Sequence, residues 1–265
     1  MPAWLLMWSL AFALYCGGKA LFWRRSPVAG ASGWRQAGYL FAWPGLDAQA
    51  FLRPEPLPEG ERPRPWEWIA AGAKLLLGAA LFWGAGWVFA PNQMLLGWSG
   101  MIGLIFMLHF GSFHLLSCAW RAAGVDARPL MRNPSAAVSL SEFWGKRWNT
   151  AFRDLTHRFL FRPLAARLGP RWAIVAGFLF SGLLHDLLIS VPARGGYGGP
   201  TLFFTLQAAG LLVERTRPAR ALGLGRGWRG WLFTMLVLAL PVGALFHPPF
   251  VRRVIVPFMR VLGAA

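Results

Sequence analysis

One histidine of this chain sits where a histidine is expensive. The run Phe178-Leu179-Phe180-Ser181-Gly182-Leu183-Leu184-His185-Asp186-Leu187-Leu188 sets an imidazole and a carboxylate into an otherwise apolar helix. Ionisable groups in such a place are functional by default. Ser181 and His185 are four apart and share a face. Asp186 lies about 100° further around the helix, so it does not orient the imidazole directly. A neutral imidazole can take the proton from an alcohol as that oxygen attacks a carbonyl. Its reference pKa of about 6.5 leaves it mostly neutral at pH 7. The chemistry this suits is acyl transfer. A thioester donor needs no metal, because thiolate is a good leaving group. The alternative is a structural histidine bonded across helices.

A second constellation precedes it. Ser139-Leu140-Ser141-Glu142-Phe143-Trp144-Gly145-Lys146-Arg147-Trp148-Asn149 opens a stretch with helical spacing. Trp144, Trp148, Phe152, Leu155 and Phe159 fall on one side, which predicts one amphipathic helix. Glu142, Lys146, Asn149 and Arg153 fall on another face, so an amide stands in a row of charges. An amide N–H from Asn149 could donate to the oxyanion that develops on a thioester carbonyl. The alternative is an interfacial helix with a solvated polar face.

The elements that must hold these residues are membrane helices. Hydrophobic residues make up 56% of the 265 and charged residues only 14%, with a mean hydropathy of +0.44. A soluble domain carries about 25% charged residues. The 16 tryptophans suit a membrane interface. A span needs about 20 apolar residues, and spans are predicted near 3–23, 67–90, 94–118, 172–192, 200–214 and 229–246. Pro44-Gly45 should break 36–52, and 249–263, with Arg252 and Arg253, reads as interfacial or re-entrant. The fold class is all-α: a polytopic bundle of about six to eight membrane helices around an intramembrane tunnel. It reads as one domain over 1–265, with a leading helix and loop at 1–35, the signature region at 139–214 and C-terminal helices at 215–265.

The net charge of +17 is distributed between the spans. The 119–171 connection holds ten basic and three acidic residues and the 215–229 stretch five arginines, whereas Pro91-Asn92-Gln93 has none. Basic loops on the cytoplasmic side explain this alternation without nucleic acid. The expected location is multi-pass in a bacterial inner (cytoplasmic) membrane, with the N-terminus outside. The first helix is read as retained, because no basic residue precedes it and no small-x-small cleavage site follows.

The Ser139–Asn149 run, a helix ending near Phe161-Arg162-Pro163-Leu164, and then Ser181-Gly182-Leu183-Leu184-His185-Asp186 resemble the wax synthase branch of the membrane-bound O-acyltransferases. Tyr39-Leu40-Phe41-Ala42-Trp43-Pro44-Gly45-Leu46-Asp47 and His109-Phe110-Gly111-Ser112-Phe113-His114 are similar to that branch too. The resemblance covers about residues 36–214. It implies acyl-CoA as co-substrate donor and a long-chain alcohol as acceptor, giving a wax ester and free CoA, with no further cofactor. It also implies that His185 is the intramembrane catalytic histidine and that Asn149 holds the family's second signature position. Asp186 departs from the pattern, in which Glu is common, and the chain is short for the family.

Around that pair, Ser181, Trp148, Glu142, Lys146, Arg147, Arg153 and Gln207 are the expected substrate-binding residues. Ser181 and Gln207 would line the cavity, and the basic loop from Lys146 to Arg171 would meet CoA phosphates or anionic lipid. Glu214 reads as a helix end beside Arg215. His109 and His114 read as cross-helix hydrogen-bonding residues, His157 as interfacial and His247 as a span terminus. The histidines have no carboxylates at metal-ligand spacing, so no metal is expected. Cys16 and Cys118 read as small packing residues. Gly195-Gly196-Tyr197-Gly198-Gly199 reads as a flexible hairpin between spans. Diacylglycerol, a sterol or a polyisoprenoid is the alternative acceptor. A lipid or proton-coupled transporter is the alternative of another class. The oligomeric state is open.

Overall fold

The structure is a computed structural model and describes residues 1–26 and 30–265; three residues of the leading loop lie outside that description. The described residues are helical, with no strand among them. Five helices are long and apolar enough to cross a membrane: Ala3–Arg24, Glu59–Phe89, Gln93–Ala122, Pro170–Ala193 and Gly227–Leu245. They match five of the six predicted spans. The remaining span is the helix Gly199–Glu214, whose 16 residues rise only about 24 Å, against a hydrocarbon core of about 30 Å.

In chain order the helices used below are α1 (Ala3–Arg24), α2 (Gly33–Phe41), α3 (Ala48–Leu52), α4 (Pro65–Trp83) and α5 (Gln93–Ala122). They continue with α6 (Leu140–Glu142), α7 (Thr150–Thr156), α8 (Arg162–Leu168), α9 (Pro170–Ala193), α10 (Gly199–Glu214), α11 (Arg217–Ala221) and α12 (Gly227–Ala239). Their ends follow local chemistry. Pro44-Gly45 separates α2 from α3, as the sequence predicts, and the Asp47 carboxylate accepts the Ala50 N–H to start α3. The Asn92 side chain caps α5 by accepting from Met94 and Leu95. Gly169, at φ +79°, ends α8, and Pro170 opens α9.

The chain divides into two compact units: Met1–Ala11 with Arg132–Phe258, and Phe12–Met131 with Met259–Ala265. In the second of these, α4 packs along α5. Glu67 of α4 pairs there with Arg121 of α5 at 2.5 Å and lies 3.8 Å from His114 Nε2. His114 thus meets a partner on a neighbouring helix. Glu67, His114 and Cys118 also bring one ligand atom each to within 4.8 Å of one another, a grouping that sequence spacing does not reveal. The Arg121 guanidinium stands on the same Glu67 oxygen and reaches Cys118 Sγ at 3.7 Å, so a fixed organic cation already serves this cluster.

In the unit that contains the signature region, α9 and α10 form a closely packed hairpin. Leu140, Ile174 and Leu211 are the centre of its core, with Trp144, Phe161, Phe178, Phe233 and Val237 packed around them. The predicted single amphipathic helix from Ser139 through Phe161 is corrected here. The helical turns α6 and Phe143–Arg147 stop at Trp148, which is extended, and α7 begins afresh after Asn149. Asn149 has φ +38°, a left-handed conformation that ends a helix. Glu142, Lys146, Asn149 and Arg153 therefore do not share one helical face.

Candidate active site

The Gly182 position explains how the α9–α10 hairpin closes. A Cβ there would lie 2.7 Å from Thr201 Cα, so only glycine lets α10 approach α9 this closely. That approach brings Thr201 onto Asp186. The Asp186 carboxylate accepts from the Thr201 hydroxyl at 2.5 Å, from the Thr201 N–H at 3.1 Å, from the Gly198 N–H at 2.9 Å and from the Ser190 hydroxyl at 2.7 Å. A charge in an apolar setting needs this many donors. Asp186 thereby points away from His185 and secures the hairpin, in line with its offset of one residue.

His185 ends the regular part of α9, and a wider π turn, Asp186–Ser190, follows it. Such turns recur at functional sites because they re-aim side chains. The imidazole Nδ1 lies 2.7 Å from the carbonyl oxygen of Ser181. A carbonyl only accepts, so Nδ1 carries the proton and Nε2 carries the lone pair. Phe204 of α10 packs on the ring at 4.5 Å between centroids, and Phe152 of α7 meets it edge-on at 6.4 Å. The ring is held by apolar faces with its tautomer set by the backbone.

Phe152 is also the link to Asn149. The Asn149 side-chain oxygen accepts the Phe152 N–H at 3.1 Å and so caps α7. Asparagine meets two demands at once here, because it tolerates positive φ and it caps. The amide nitrogen is the donor half of the same group. The two residues singled out by type thus share one intermediary, the Phe152 residue.

The remaining predicted residues divide in two. Ser181 meets His185 through its backbone carbonyl, while its hydroxyl donates to the Gly177 carbonyl at 2.9 Å. Trp148 stacks on Phe143 at 5.6 Å. Glu142 accepts from the Val138 N–H and pairs with Arg147 at 2.7 Å. Those donors hold its carboxyl below the usual range, the Val138 N–H first. Arg147 also donates to the carbonyls of Arg132 and Asn133. Arg153 donates to the Gly145 carbonyl and pairs with Asp154. These three charges fix the shape of the 132–154 segment, and Lys146 is exposed. Gln207 is fully buried and donates from Nε2 to the Val237 carbonyl of α12 at 2.9 Å.

Three devices escaped sequence reading. Glu214 does more than end α10: its carboxylate accepts the Leu140 and Ser141 N–H groups at 2.7 and 2.9 Å and the Ser141 hydroxyl at 2.6 Å. It thereby caps α6 from 74 residues away, a separation no local pattern signals. His247 accepts the Phe250 N–H at Nδ1, which places its proton on Nε2, 3.2 Å from the Ser190 hydroxyl. Burial of this ring lowers its pKa below the ordinary value. The glycine run is pinned rather than loose: Gly198 donates to Asp186, and Gly196, at φ +72°, lies against the His247 ring, where a Cβ would come within 2.3 Å.

The fold and site define a polytopic helical membrane protein with a half-buried, tautomer-fixed histidine in one of its spans. Residues 127–206 match the model of the membrane bound O-acyl transferase family. The chain is 30% identical over 144 residues to a probable long-chain-alcohol O-fatty-acyltransferase 9 of Arabidopsis thaliana, covering 49% of this chain and 42% of that protein. It is 31% identical over 142 residues to a long-chain-alcohol O-fatty-acyltransferase of Simmondsia chinensis, covering 49% and 40%. An acyl-CoA–sterol O-acyltransferase 1 of Arabidopsis thaliana is 30% identical over 77 residues, covering 26% and 22%. The matched part spans about two fifths of the length of the long-chain-alcohol relatives.

Proposed function

We propose that the chain is an acyltransferase that moves a fatty acyl group from acyl-CoA to a long-chain alcohol. The observation that carries this reading is the Nδ1 contact of His185 with the Ser181 carbonyl, which leaves Nε2 as a free base in an apolar setting. The names of the plant relatives support the acceptor class.

In the step, the alcohol oxygen attacks the thioester carbonyl while Nε2 of His185 takes the hydroxyl proton. The carbon–sulfur bond then breaks, the thiolate leaves, and the imidazolium returns the proton to sulfur. The products are an ester and CoA, and no metal or redox partner enters the balance. The Asn149 amide N–H donates to the carbonyl oxygen as charge develops there. In this reading Trp148, Ser181 and Gln207 would border the bound substrates. Exposed Lys146, Arg162, Arg167 and Arg171 offer CoA phosphates or lipid headgroups their charge at the start of α9. The basic loops face the cytoplasm, and a bacterial cytoplasmic membrane is the setting this reading takes.

The test is direct. Purified protein in detergent is given radiolabelled palmitoyl-CoA and a panel of long-chain alcohols, with a His185→Ala protein alongside. Ester from the wild type and none from the variant is the expected result. Ester formation that survives in His185→Ala would falsify the base assignment. The sterol-acylating relative favours a second acceptor, so a sterol belongs in the same panel.

A further inference from the structure

Among the described residues of the signature unit, four buried side-chain polar atoms have no hydrogen-bond partner, Trp8 Nε1, Trp144 Nε1, Arg153 Nε and Gln207 Oε1, and two of these adjoin the core around Leu140. The indole Nε1 of Trp144 and the side-chain oxygen Oε1 of Gln207 are both fully buried and unbonded. Buried polar atoms are nearly always paired, so each such exception needs an explanation. Their chemical senses are fixed. An indole N–H only donates. Gln207 donates from Nε2 to the Val237 carbonyl, which can only accept, so Oε1 is the unsatisfied end and only accepts.

They also lie in one neighbourhood. Trp144 packs on Phe204 at 5.6 Å between ring centroids, and Phe204 packs on His185 at 4.5 Å. Gln207 follows Phe204 by three residues on α10, on the same face of that helix. Trp144 and Val237 belong to the one core around Leu140 and Leu211. A donor and an acceptor, both locked and both neutral, therefore wait one ring away from His185. They match a neutral group that carries one acceptor and one donor, and they fit neither a carboxylate nor an ammonium.

We infer that Trp144 Nε1 and Gln207 Oε1 grip a secondary amide of the acyl donor, the one nearest sulfur in the pantetheine arm of acyl-CoA. The inference rests on the acyl-transfer reading above. A thioester carbonyl offers only an acceptor, and the attacking hydroxyl gives its proton to His185, so neither satisfies both atoms. The pantetheine amide is separated from the sulfur by two methylenes, so it stays close to the reacting carbon. Its C=O accepts from Trp144 and its N–H donates to Gln207. The pair would hold the donor in register with His185 and select a pantetheine thioester over a plain alkyl one.

The test compares two short donors: the palmitoyl thioester of N-acetylcysteamine, which keeps this amide, and that of pentanethiol, its all-carbon counterpart. The wild type should prefer the amide-bearing donor in kcat/KM by about 10- to 100-fold, the worth of one or two hydrogen bonds otherwise left unmade. Trp144→Phe and Gln207→Met should bring that ratio towards one. No preference in the wild type overturns the inference. So does a ratio kept in both variants while the rate falls, since the two atoms would then be bridged by water or serve packing alone. If the wild type makes no ester from either donor or from palmitoyl-CoA, the acyl-transfer reading itself fails. Equilibrium binding of the same two radiolabelled thioesters then decides the inference: a preference erased in the variants supports it, and equal binding overturns it.

Discussion

The Nδ1 atom of His185 lies 2.7 Å from the carbonyl oxygen of Ser181, one turn earlier in the same helix. This contact settles which ring nitrogen carries the proton without help from any acidic side chain. The neighbouring Asp186 is engaged elsewhere, by Ser190, Gly198 and Thr201. Imidazole and carboxylate are adjacent in the chain and bonded to separate partners. Removing the proposed base should therefore lower kcat by about 10²–10⁴-fold, the usual contribution of a positioned general base. The measurement is single-turnover ester formation by His185→Ala, with a melting curve to show that the variant is folded.

Asn149 has two duties that one pair of variants can separate. Its oxygen caps α7 and its nitrogen is the proposed donor to the thioester. Asn149→Asp keeps the cap and the tolerance for positive φ but loses the N–H. It should melt close to wild type and lose about 10²–10³-fold in kcat. Asn149→Ala should lose the same activity and about 1 kcal/mol of stability as well. A fully active Asn149→Asp protein would assign this residue to the cap alone.

Gly182→Ala should disturb the hairpin. The new Cβ would meet Thr201 backbone at 2.7 Å, which has no flexible side chain to yield. Overpacking of this kind costs about 1–3 kcal/mol. Thr201→Val removes one Asp186 donor without a clash and should cost a similar amount, because a half-buried charge loses a hydrogen bond. Thermal unfolding in detergent reads both. A Gly182→Ala protein as stable as wild type would mean that α9 and α10 separate freely.

Glu214→Ala should loosen α6. Two backbone N–H groups and the Ser141 hydroxyl lose their shared acceptor. With Glu214 buried, the cost should be about 2–4 kcal/mol. Faster hydrogen exchange at Leu140 and Ser141, with little change in α5, is the expected pattern.

Stability should fall on mild acidification through His247. Burial depresses its folded-state pKa below the ordinary value, while Asp186, reached through Ser190, pulls the other way. A depressed histidine adds stability that is complete above about pH 6.5, its unfolded value, and is lost as pH falls through the lower folded value. Protonation at Nδ1 also abolishes the acceptor for the Phe250 N–H. The melting temperature should decline below about pH 6.5 in the wild type and decline less in His247→Gln. Parallel pH curves for the two proteins would remove His247 as the cause.

The sequence by itself determined the membrane helices, the break at Pro44-Gly45 and the residues worth testing. Apolar run length, turn chemistry and a histidine in a costly place are local properties, and they are written locally. It also suggested one continuous amphipathic helix through Asn149, and that failed because a single left-handed residue with a capping oxygen outweighs a hydrophobic period. Tertiary structure alone decided the rest: Glu214 reaching α6, Thr201 reaching Asp186 past Gly182, Glu67 meeting Arg121, and the unbonded atoms of Trp144 and Gln207. Each of these depends on how closely two helices approach. That distance is set by the side chains between them and is not encoded in the spacing of either helix alone.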